Sequence, residues 1–573
     1  MRTMTDKLPV VSQREATPPP TPWYRRPAVL PWAWATALCL LYATVAVRRH
    51  QLLRTTGYDL GIFEQAVRAY AELRAPVVPL RGPGFHLLGD HFHPLLAALA
   101  PLYRLWPSPL CLLVAQSALL ALAVVPLARW AGRVLGARAA HVVAAGYGLS
   151  WGIASAAAFD FHEVALAVPL LAFALEALGR RRWGAAVAWA APLLLVKEDL
   201  GLTLAAVGVY IAVMGPRRLG IATAGAGVLG SLVEIKLLLP AFNPGGAYAH
   251  GGHLSDGHGS LLSTLAHAPL DALRPDIKAM TLILVFAPSA LLALRSPLSL
   301  IAVPTLGWRM FSENTFHWGT AYHYSAILMP VVFAGLIDVL GRERQAERAP
   351  SADPSSATTL SSGASSADPQ SANPSSADPQ SANPSSAAPQ SANPSSANPP
   401  SARTPSAPAS PTPASSAHAV SARNVRGSLA VVLAVTVVMI PSFPLAQLVQ
   451  RPTWRATPHI EAARALLARI PDGATVAASN RLAPQLTSRC EVVIFPTFPV
   501  DTRLDLRETG PLPAPTADWI VYDAVPPEAW PQQSGPWPYP QEQQERELRA
   551  AQESHGYEVV AARDGVTLLR RAR

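Results

Sequence analysis

The chain has 573 residues, of which 50% are hydrophobic and only 14% are charged, whereas soluble domains usually carry about 25% charged residues. This composition excludes an ordinary water-soluble protein. The formal net charge of +9 would suit a nucleic-acid-binding protein, but the cations group between apolar runs, as the positive-inside rule describes for membrane proteins. We therefore expect the lipid bilayer, and no nucleic acid, as a partner.

Uncharged apolar runs recur along the chain and predict a multi-pass protein of the cell membrane. At a rise of 1.5 Å per residue, about 20 residues of helix cross the roughly 30 Å hydrocarbon core. The tail at 1–27 lacks the apolar core and cleavage site of a signal peptide, so it should stay in the cytoplasm and the first run should remain as an anchor. The runs are 27–47, 105–128, 139–159, 279–294, 319–337 and 428–447.

Arginine clusters between these runs constrain the topology. If each cluster lies in the cytoplasm, an even number of crossings must separate consecutive clusters, and about eleven spans satisfy that condition. The segment 183–215 lies between two clusters and carries Lys197, Glu198 and Asp199 at its centre. A single helix would bury three ionisable groups at mid-membrane, which is costly. The pattern therefore predicts a hairpin with these residues at its outer turn.

On this topology the acids and histidines collect on the extracytoplasmic face, where we expect any chemistry. The segments that come out there include 57–65, 86–94, 159–163, 197–199 and 312–324. Arg48, Arg49 and Arg54 come out on the same face, against the positive-inside rule.

The first outer loop contains the stretch GYDLGIFEQ, residues 57–65. Leu60, Phe63 and Val67 share one helical face, which predicts an amphipathic helix lying at the membrane interface. Asp59 directly precedes that helix. One interpretation makes Asp59 a helix N-cap, worth about 1 kcal/mol, and the other makes its carboxylate a catalytic group.

Further candidate residues lie in the next outer segments. Asp90, His91 and His93 in GDHFHP, with His162 from FDFHE, offer oxygen and nitrogen ligands for a divalent cation. A solvated histidine cluster explains the GDHFHP residues equally well. A divalent metal ion as cofactor therefore stays an open alternative.

Two basic side chains, Lys197 and His323, are candidate contacts for a phosphate group, and the family resemblance given below adds Arg74. For Lys197 the competing interpretation is a structural ion pair with Glu198 or Asp199. For His323 it is a place in the aromatic belt at the membrane surface.

The C-terminal part changes character. Residues 350–425 contain a repeated unit, SSADPQSANP, which has almost nothing to bury and predicts a disordered cytoplasmic linker. A last transmembrane helix is predicted at 426–449. Residues 450–573 predict a small extracytoplasmic α/β domain for packing or acceptor docking, with a helix at 460–470, strands in TVAAS, EVVIFP and DWIVYD, and a hairpin about Asp564 and Gly565.

Several of these motifs together resemble one bacterial membrane family. They are YDLGIFEQ soon after the first span, then GDHFHP, FDFHE, LLLVKEDLG and YHYSAILMP. The family is catalogued as domain of unknown function two thousand seventy-nine, and it looks related to the GT-C glycosyltransferases. The resemblance covers roughly residues 28–340, within a transmembrane domain expected at 28–349, and, more loosely, the last span and terminal domain. It implies a mainly α, polytopic transmembrane helical bundle that is GT-C-like, followed by the small α/β domain.

GT-C resemblance implies an enzyme that takes a sugar from a polyprenyl-phosphate donor, with an acid of the first outer loop as catalytic base. Asp59 matches that position, and Asp160 with Glu163 matches a second acidic motif. In the commonest pattern the first acid has an acidic neighbour, whereas here Leu60 follows Asp59. The acceptor stays unknown, and a transporter or flippase for a lipid-linked sugar and a non-catalytic scaffold remain alternative functions.

Overall fold

The computed structural model describes residues 29–243, 245–246, 248, 273–312, 314–348, 416–496, 514–525 and 540–572. The predicted N-terminal tail at 1–27, most of the loop at 243–278 and the repeat linker up to residue 415 lie outside this described part. Within it the chain is mainly helical, with one small sheet near the C-terminus. The predicted fold class is confirmed at this level.

Helices make up nearly all of the region before the linker, and short 3-10 and π turns join many of them. The first helices are α1 Leu30–Gln51, α2 Ile62–Ala71, α3 Ala100–Leu105, α4 Pro109–Leu122, α5 Val124–Leu135, α6 Ala137–Leu149, α7 Trp151–Ala157, α8 Val164–Gly179 and α9 Trp183–Ala190. They are followed by α10 Leu200–Met214, α11 Arg217–Val233, α12 Leu239–Phe242, α13 Asp276–Phe286, α14 Val303–Phe311, α15 Leu328–Arg348, α16 Ser416–Met439, α17 Pro458–Leu467 and α18 Gln541–Ser554.

Within the described residues, five helical segments are long and apolar enough to cross a membrane. They are Leu30–Gln51, Pro109–Leu135, Arg217–Phe242, His323–Ala346 and Val425–Ser442. Shorter apolar helices cover Pro94–Leu105, Val164–Gly179, Trp183–Leu195 and Leu200–Met214. A multi-pass membrane protein is therefore confirmed, while the predicted total number of spans stays a prediction.

Several of the apolar runs are not continuous helices, and two of them show why. The run 139–159 is divided between α6 and α7, because Ser150 between them has an extended backbone. The run 279–294 leaves the α-helical conformation after Phe286, where a 3-10 turn that contains Pro288 follows. Proline lacks the N–H that a helix interior requires, so apolar composition alone overestimated the length of this helix.

The predicted hairpin at 183–215 is present. The helical conformation breaks around residues 196–199, and α10 folds back to pack against α9. Glu198 is buried, and the Lys197 side chain keeps only 15% of its surface exposed. The turn therefore directs its charged side chains into the protein and not into water.

The two ends of α8 carry two separate groups of charged side chains. Glu163 lies just before its first residue, and Glu176 lies near its other end, about 20 Å away at 1.5 Å per residue. The Glu176 carboxylate forms ion pairs with Arg129 at 2.7 Å, Arg133 at 2.5 Å and Arg180 at 3.8 Å. Two of the arginine clusters that the topology placed on one face of the membrane thus meet at one end of the bundle.

The arginines that break the positive-inside rule have partners in the segment after the last span. Nε and Nη2 of Arg48 donate to the Thr453 carbonyl at 3.1 and 2.9 Å. Nη1 of Arg49 donates to Oε1 of Gln447 at 3.3 Å. These side chains join the end of α1 to the chain that leads into the C-terminal domain, so their position has a structural reason.

The C-terminal domain contains a five-stranded mixed sheet of order β2-β1-β3-β5-β4. Its strands are β1 Thr475–Ala478, β2 Glu491–Ile494, β3 Trp519–Asp523, β4 Tyr557–Arg563 and β5 Val566–Arg571. β1 pairs in parallel with β2 and β3, whereas β5 is antiparallel to β3 and β4. Asp564 and Gly565, with φ angles of 47° and 83°, form the tight turn of the hairpin. The predicted strands and hairpin are confirmed.

We predicted α2 as an amphipathic helix at the membrane interface. In the structure its polar face is not exposed to water. Glu64 and Gln65 on that face are buried along with Phe63 and Val67. The reason is that the C-terminal domain covers α2, and Leu486 and Val492 belong to the same hydrophobic cluster as its apolar residues. Contacts this distant in sequence leave no mark in the local pattern.

Candidate functional site

Asp59 lies inside a π-helical turn, Gly57–Gly61, that continues into α2. The N-cap position of this turn belongs to Thr56, so the N-cap interpretation of Asp59 is wrong. The Asp59 carboxylate instead meets side chains: its Oδ1 lies 3.4 Å from Nε2 of His162, and its Oδ2 lies 3.4 Å from Oγ1 of Thr56. Single π turns are frequent at functional sites.

Asp160 approaches the same turn from the loop after α7. Its Oδ2 accepts hydrogen bonds from the Thr56 backbone N–H at 2.8 Å and from the Thr56 hydroxyl at 2.6 Å. Thr56 therefore links the two carboxylates, Asp59 and Asp160. Burial raises the pKa of the Asp160 carboxyl to about 6, although the Thr56 hydrogen bonds and the Arg49 charge lower it.

The protonation of Asp59 depends on these neighbours. Its side chain keeps 30% of its surface exposed, yet protein atoms surround it densely. Burial is the largest cause that raises the pKa of Asp59 well above its ordinary value, and the nearby charges of Asp160 and Glu163 raise it further. A carboxylate with a raised pKa is a stronger base once it has lost its proton.

Glu163 and Lys197 form a buried ion pair, with Nζ 3.1 Å from Oε1. The partner of Lys197 is thus Glu163, which directly precedes α8. The alternative in which Lys197 pairs with Glu198 or Asp199 is wrong. Burial opposes ionisation of Glu163, but the Lys197 ammonium and neighbouring histidines outweigh it and hold the pKa of Glu163 at about 2. Burial also opposes the charge of Lys197, and Glu163, Asp199 and Glu198 together keep its pKa above the ordinary value. Both groups are charged at neutral pH.

Two histidines lie between these charged groups. The rings of His162 and His323 stack with centroids 3.5 Å apart and planes 21° from parallel. Both Nδ1 atoms are buried and make no hydrogen bond within the described part of the chain. His323 therefore joins the site at the start of a candidate span.

The GDHFHP residues lie beside the cluster. Other side chains occupy polar atoms of Asp90 and His91, whereas the buried Nδ1 of His93 makes no hydrogen bond within the described residues. The Asp90 Oδ1 atom lies 2.6 Å from Nη2 of Arg81, and the His91 Nδ1 atom lies 2.7 Å from Oε1 of Glu198. His93 packs against Phe63. Among the residues that the structure describes, no group of three or more His, Cys, Asp or Glu side chains is arranged to hold a metal ion. The described residues therefore do not form a site that fits a resident metal ion.

Arg74 does not join the cluster through any contact seen in the described residues. Its side chain is 64% exposed and pairs with Glu72, the residue directly after α2. Arg81 is the cation that sequence reasoning missed: it stacks over the Tyr58 ring at 5.0 Å, next to Asp59, and its side chain is 7% exposed. No local motif marked Arg81, since the signal is its packing on a neighbour more than twenty residues away.

Fold and site together define a multi-pass membrane protein with a buried cluster of charged and imidazole side chains at one end of its helices. The chain belongs to the family described as "Predicted membrane protein (DUF2079)", which matches residues 49–358 and 410–568. The resemblance seen in the sequence motifs is thereby confirmed.

Among solved structures, the chain is similar to ArnT from Cupriavidus metallidurans bound to undecaprenyl phosphate, with a TM-score of 0.47 and 14% identity. The apo structure of the same protein gives a TM-score of 0.46, also at 14% identity. In each comparison the aligned region covers 94% of this chain and 97% of the ArnT chain. A likeness this distant says nothing about activity. No curated protein matches the sequence.

Proposed function

We propose that the protein is a glycosyltransferase that transfers a sugar from a polyprenyl-phosphate donor to an acceptor hydroxyl outside the cytoplasm. The proposal rests mainly on one observation: a carboxylate, Asp59, and a buried ammonium group, Lys197, belong to one cluster joined through His162 and Glu163. Such a transfer requires both a base and a cation.

The reaction balances with these groups alone. Asp59 takes the proton of the acceptor hydroxyl while the acceptor oxygen forms a bond to the anomeric carbon. The bond between that carbon and the phosphate oxygen breaks, and the polyprenyl phosphate leaves with its electron pair. Asp59 then releases the proton to solvent, which its exposed surface permits.

We assign to Lys197 the role of stabilising the negative charge that grows on the departing phosphate. An ammonium group has three donors, and the pair with Glu163 uses one direction. The remaining donors are available to phosphate oxygens, while Glu163 keeps the lysine charged and oriented. His323, stacked on His162, is the second candidate contact for the donor phosphate.

The location of the cluster suits a lipid-borne donor. His323 begins a candidate span, and Lys197 lies between two short apolar helices. The opposite end of α8 carries the arginine group around Glu176. We place the arginine end in the cytoplasm by the positive-inside rule, which puts the cluster and the C-terminal domain outside and the N-terminus inside.

The test compares wild type, Asp59→Asn and Asp472→Asn as purified full chains in proteoliposomes. Asp472 is an exposed residue of the C-terminal domain and serves as the matched control. The chain is given synthetic undecaprenyl-phosphate sugars with a cell-envelope extract as acceptor source, and release of free undecaprenyl phosphate is measured. This product is the same whichever acceptor is used.

We expect Asp59→Asn to fold and bind the donor but to lose about 10²-fold or more in release rate, the usual scale for losing a general base. Asp472→Asn should match wild type. Full turnover by Asp59→Asn would refute the role of Asp59. Movement of intact lipid-linked sugar across the bilayer without release would instead identify a flippase, and absence of donor binding would leave the scaffold alternative.

A further inference from the structure

Asn480 of the C-terminal domain forms backbone-directed hydrogen bonds with the turn that carries Asp59. The Asn480 carbonyl oxygen accepts a hydrogen bond from the Gly57 N–H at 2.6 Å. Its side-chain Oδ1 accepts a second from the Tyr58 N–H at 3.0 Å. The first N–H groups of a helix have no partner inside the helix. A residue more than four hundred positions away thus satisfies the two that directly precede Asp59.

The fit between the two parts is too close for a side chain at position 57. A Cβ atom added to Gly57 would lie 2.6 Å from Cβ of Ala483 and 3.4 Å from the Asn480 carbonyl oxygen. The φ angle of Gly57 is not in the left-handed region. The glycine is therefore needed here for the close approach of the domain and not for an unusual backbone conformation.

Asn480 is itself held firmly. It comes two residues after β1, the strand that lies between β2 and β3 in the sheet. The next residue, Arg481, donates from Nε to the Leu53 carbonyl at 2.9 Å. Asn480 is therefore fixed to the sheet on one side and to the chain before the turn on the other.

Hydrogen bonds farther along the chain also join α2 to the C-terminal domain. Nε2 of Gln65 donates to the Val492 carbonyl at 2.8 Å, and Nη1 of Arg68 donates to the Thr487 carbonyl at 3.0 Å. The Thr487 hydroxyl donates to the Glu64 carboxylate. The C-terminal domain is thus hydrogen-bonded both to the Asp59 turn and to side chains of α2, the helix that follows it.

We propose that Asn480 is a positioning residue for Asp59, and that the C-terminal domain is a structural part of the reaction centre. This inference rests on the proposed function and goes beyond the docking role that the sequence suggested for this domain. Asn480 touches neither donor nor acceptor. It acts by fixing the backbone of Gly57 and Tyr58, so that the carboxylate of the next residue stays beside His162.

The physical reason is the steep dependence of reaction rate on geometry. A misplacement of about 1 Å can cost on the order of 10²-fold in rate. Among the described residues, the Asp59 carboxylate has only long contacts of 3.4 Å to its side-chain neighbours. Its position therefore depends chiefly on the backbone of its own turn, and Asn480 holds that backbone.

The test uses the purified full chain in lipid nanodiscs, with Asn480→Ala, Asn480→Asp and Thr457→Ala. Thr457 caps α17 in the same domain by accepting from the Ile460 N–H at 3.4 Å, so Thr457→Ala removes a comparable cap away from Asp59. Hydrogen exchange of the peptide 54–63 is followed by mass spectrometry. Turnover is followed as release of undecaprenyl phosphate, and affinity as binding of undecaprenyl phosphate itself.

We expect Asn480→Ala to speed exchange in this peptide and to lower the turnover about 10-fold or more without a change in undecaprenyl phosphate binding. Asn480→Asp keeps an acceptor oxygen at the N-terminus of the turn, so protection should return. Its added charge should raise the pKa of Asp59 and move the acidic limb of the pH profile to higher pH. Thr457→Ala should change none of these quantities.

Two results would overturn the inference separately from the proposed function. Faster exchange in Asn480→Ala with wild-type turnover, while Asp59→Asn is inactive, would make Asn480 a cap without a positioning role. Unchanged exchange in Asn480→Ala would show that the hydrogen bonds do not hold the turn. Full activity of Asp59→Asn, by contrast, would refute the proposed function itself, and the inference with it.

Discussion

Nζ of Lys197 lies 3.1 Å from Oε1 of Glu163, and the two side chains keep only 15% and 1% of their surfaces exposed. The residues come from different loops, yet they form the best-buried ion pair of the site. Removing one partner of a buried pair leaves an uncompensated charge and costs about 3–5 kcal/mol, whereas removing both is often nearly neutral. The pair therefore ties the electrostatics of the site to the stability of the fold.

Lys197→Met and Glu163→Gln should each destabilise the protein by roughly 3 kcal/mol, and the double variant by much less than their sum. The melting temperature, followed by tryptophan fluorescence in detergent, measures this coupling. Turnover should behave differently: Lys197→Met and the double variant should both remain inactive, because neither has the cation for the leaving phosphate. Additive effects of the two changes on stability would contradict the ion pair.

The pH dependence of turnover should report the pKa of Asp59. Burial, and then the Asp160 and Glu163 charges, raise that pKa, and only the ionised carboxylate accepts a proton. The rate should therefore rise with pH through an acidic limb that lies above the ordinary range of aspartate. Asp160→Asn removes one charge that raises the pKa of Asp59, so its limb should move to lower pH. A limb that stays in place or moves upward in Asp160→Asn would exclude Asp59 as the titrating base.

The buried carboxyl group of Glu64 should make the stability of the contact between α2 and the C-terminal domain depend on pH. Burial raises its pKa to about 7, although the hydroxyls of Thr487 and Tyr103 and the Arg68 charge oppose the rise. The folded state then holds a proton that the unfolded state has lost. This contribution is complete below the ordinary pKa of glutamate and disappears as the pH rises through about 7.

Wild type should therefore lose on the order of 3 kcal/mol relative to Glu64→Gln between pH 5 and about 8. The melting temperatures of both proteins across that range measure the difference. Glu72→Gln is the matched control directly after α2. Glu72 is exposed, and a hydrogen bond from Arg74 lowers its pKa, so the melting temperatures of Glu72→Gln should follow those of wild type at a nearly constant difference. A constant difference between wild type and Glu64→Gln would rule out titration of Glu64 in this range.

The membrane orientation predicts which positions an impermeant thiol reagent reaches in intact cells. In a background without Cys39, Cys111 and Cys490, a cysteine at Asp472 should react from outside, and one at Arg182 should react only after permeabilisation. Both positions are exposed on the protein surface. Outside labelling at 182 with protection at 472 would invert the whole topology.

Much of the site's residue content could be predicted without coordinates. Asp59, Lys197 and His323 were singled out as ionisable groups next to apolar runs, and Asp160 with Glu163 through the family resemblance. The structure brings all of them to one cluster, while their chemical roles stay predictions. Arg74 stays outside it, because a charge at the end of an amphipathic helix satisfies itself with its neighbour Glu72.

The sequence by itself determined the elements with a local signal: the apolar spans, the break at 197–199, the strands and the hairpin at Asp564 and Gly565. Each follows from hydrophobic periodicity or from a turn residue with few alternatives. Only the tertiary structure decided that His162 stacks on His323, that Lys197 pairs with Glu163, and that Asn480 caps the Asp59 turn. These partners are separated by tens to hundreds of residues, and their meeting depends on how the packed helices and the C-terminal sheet fill space, which no window of the sequence records.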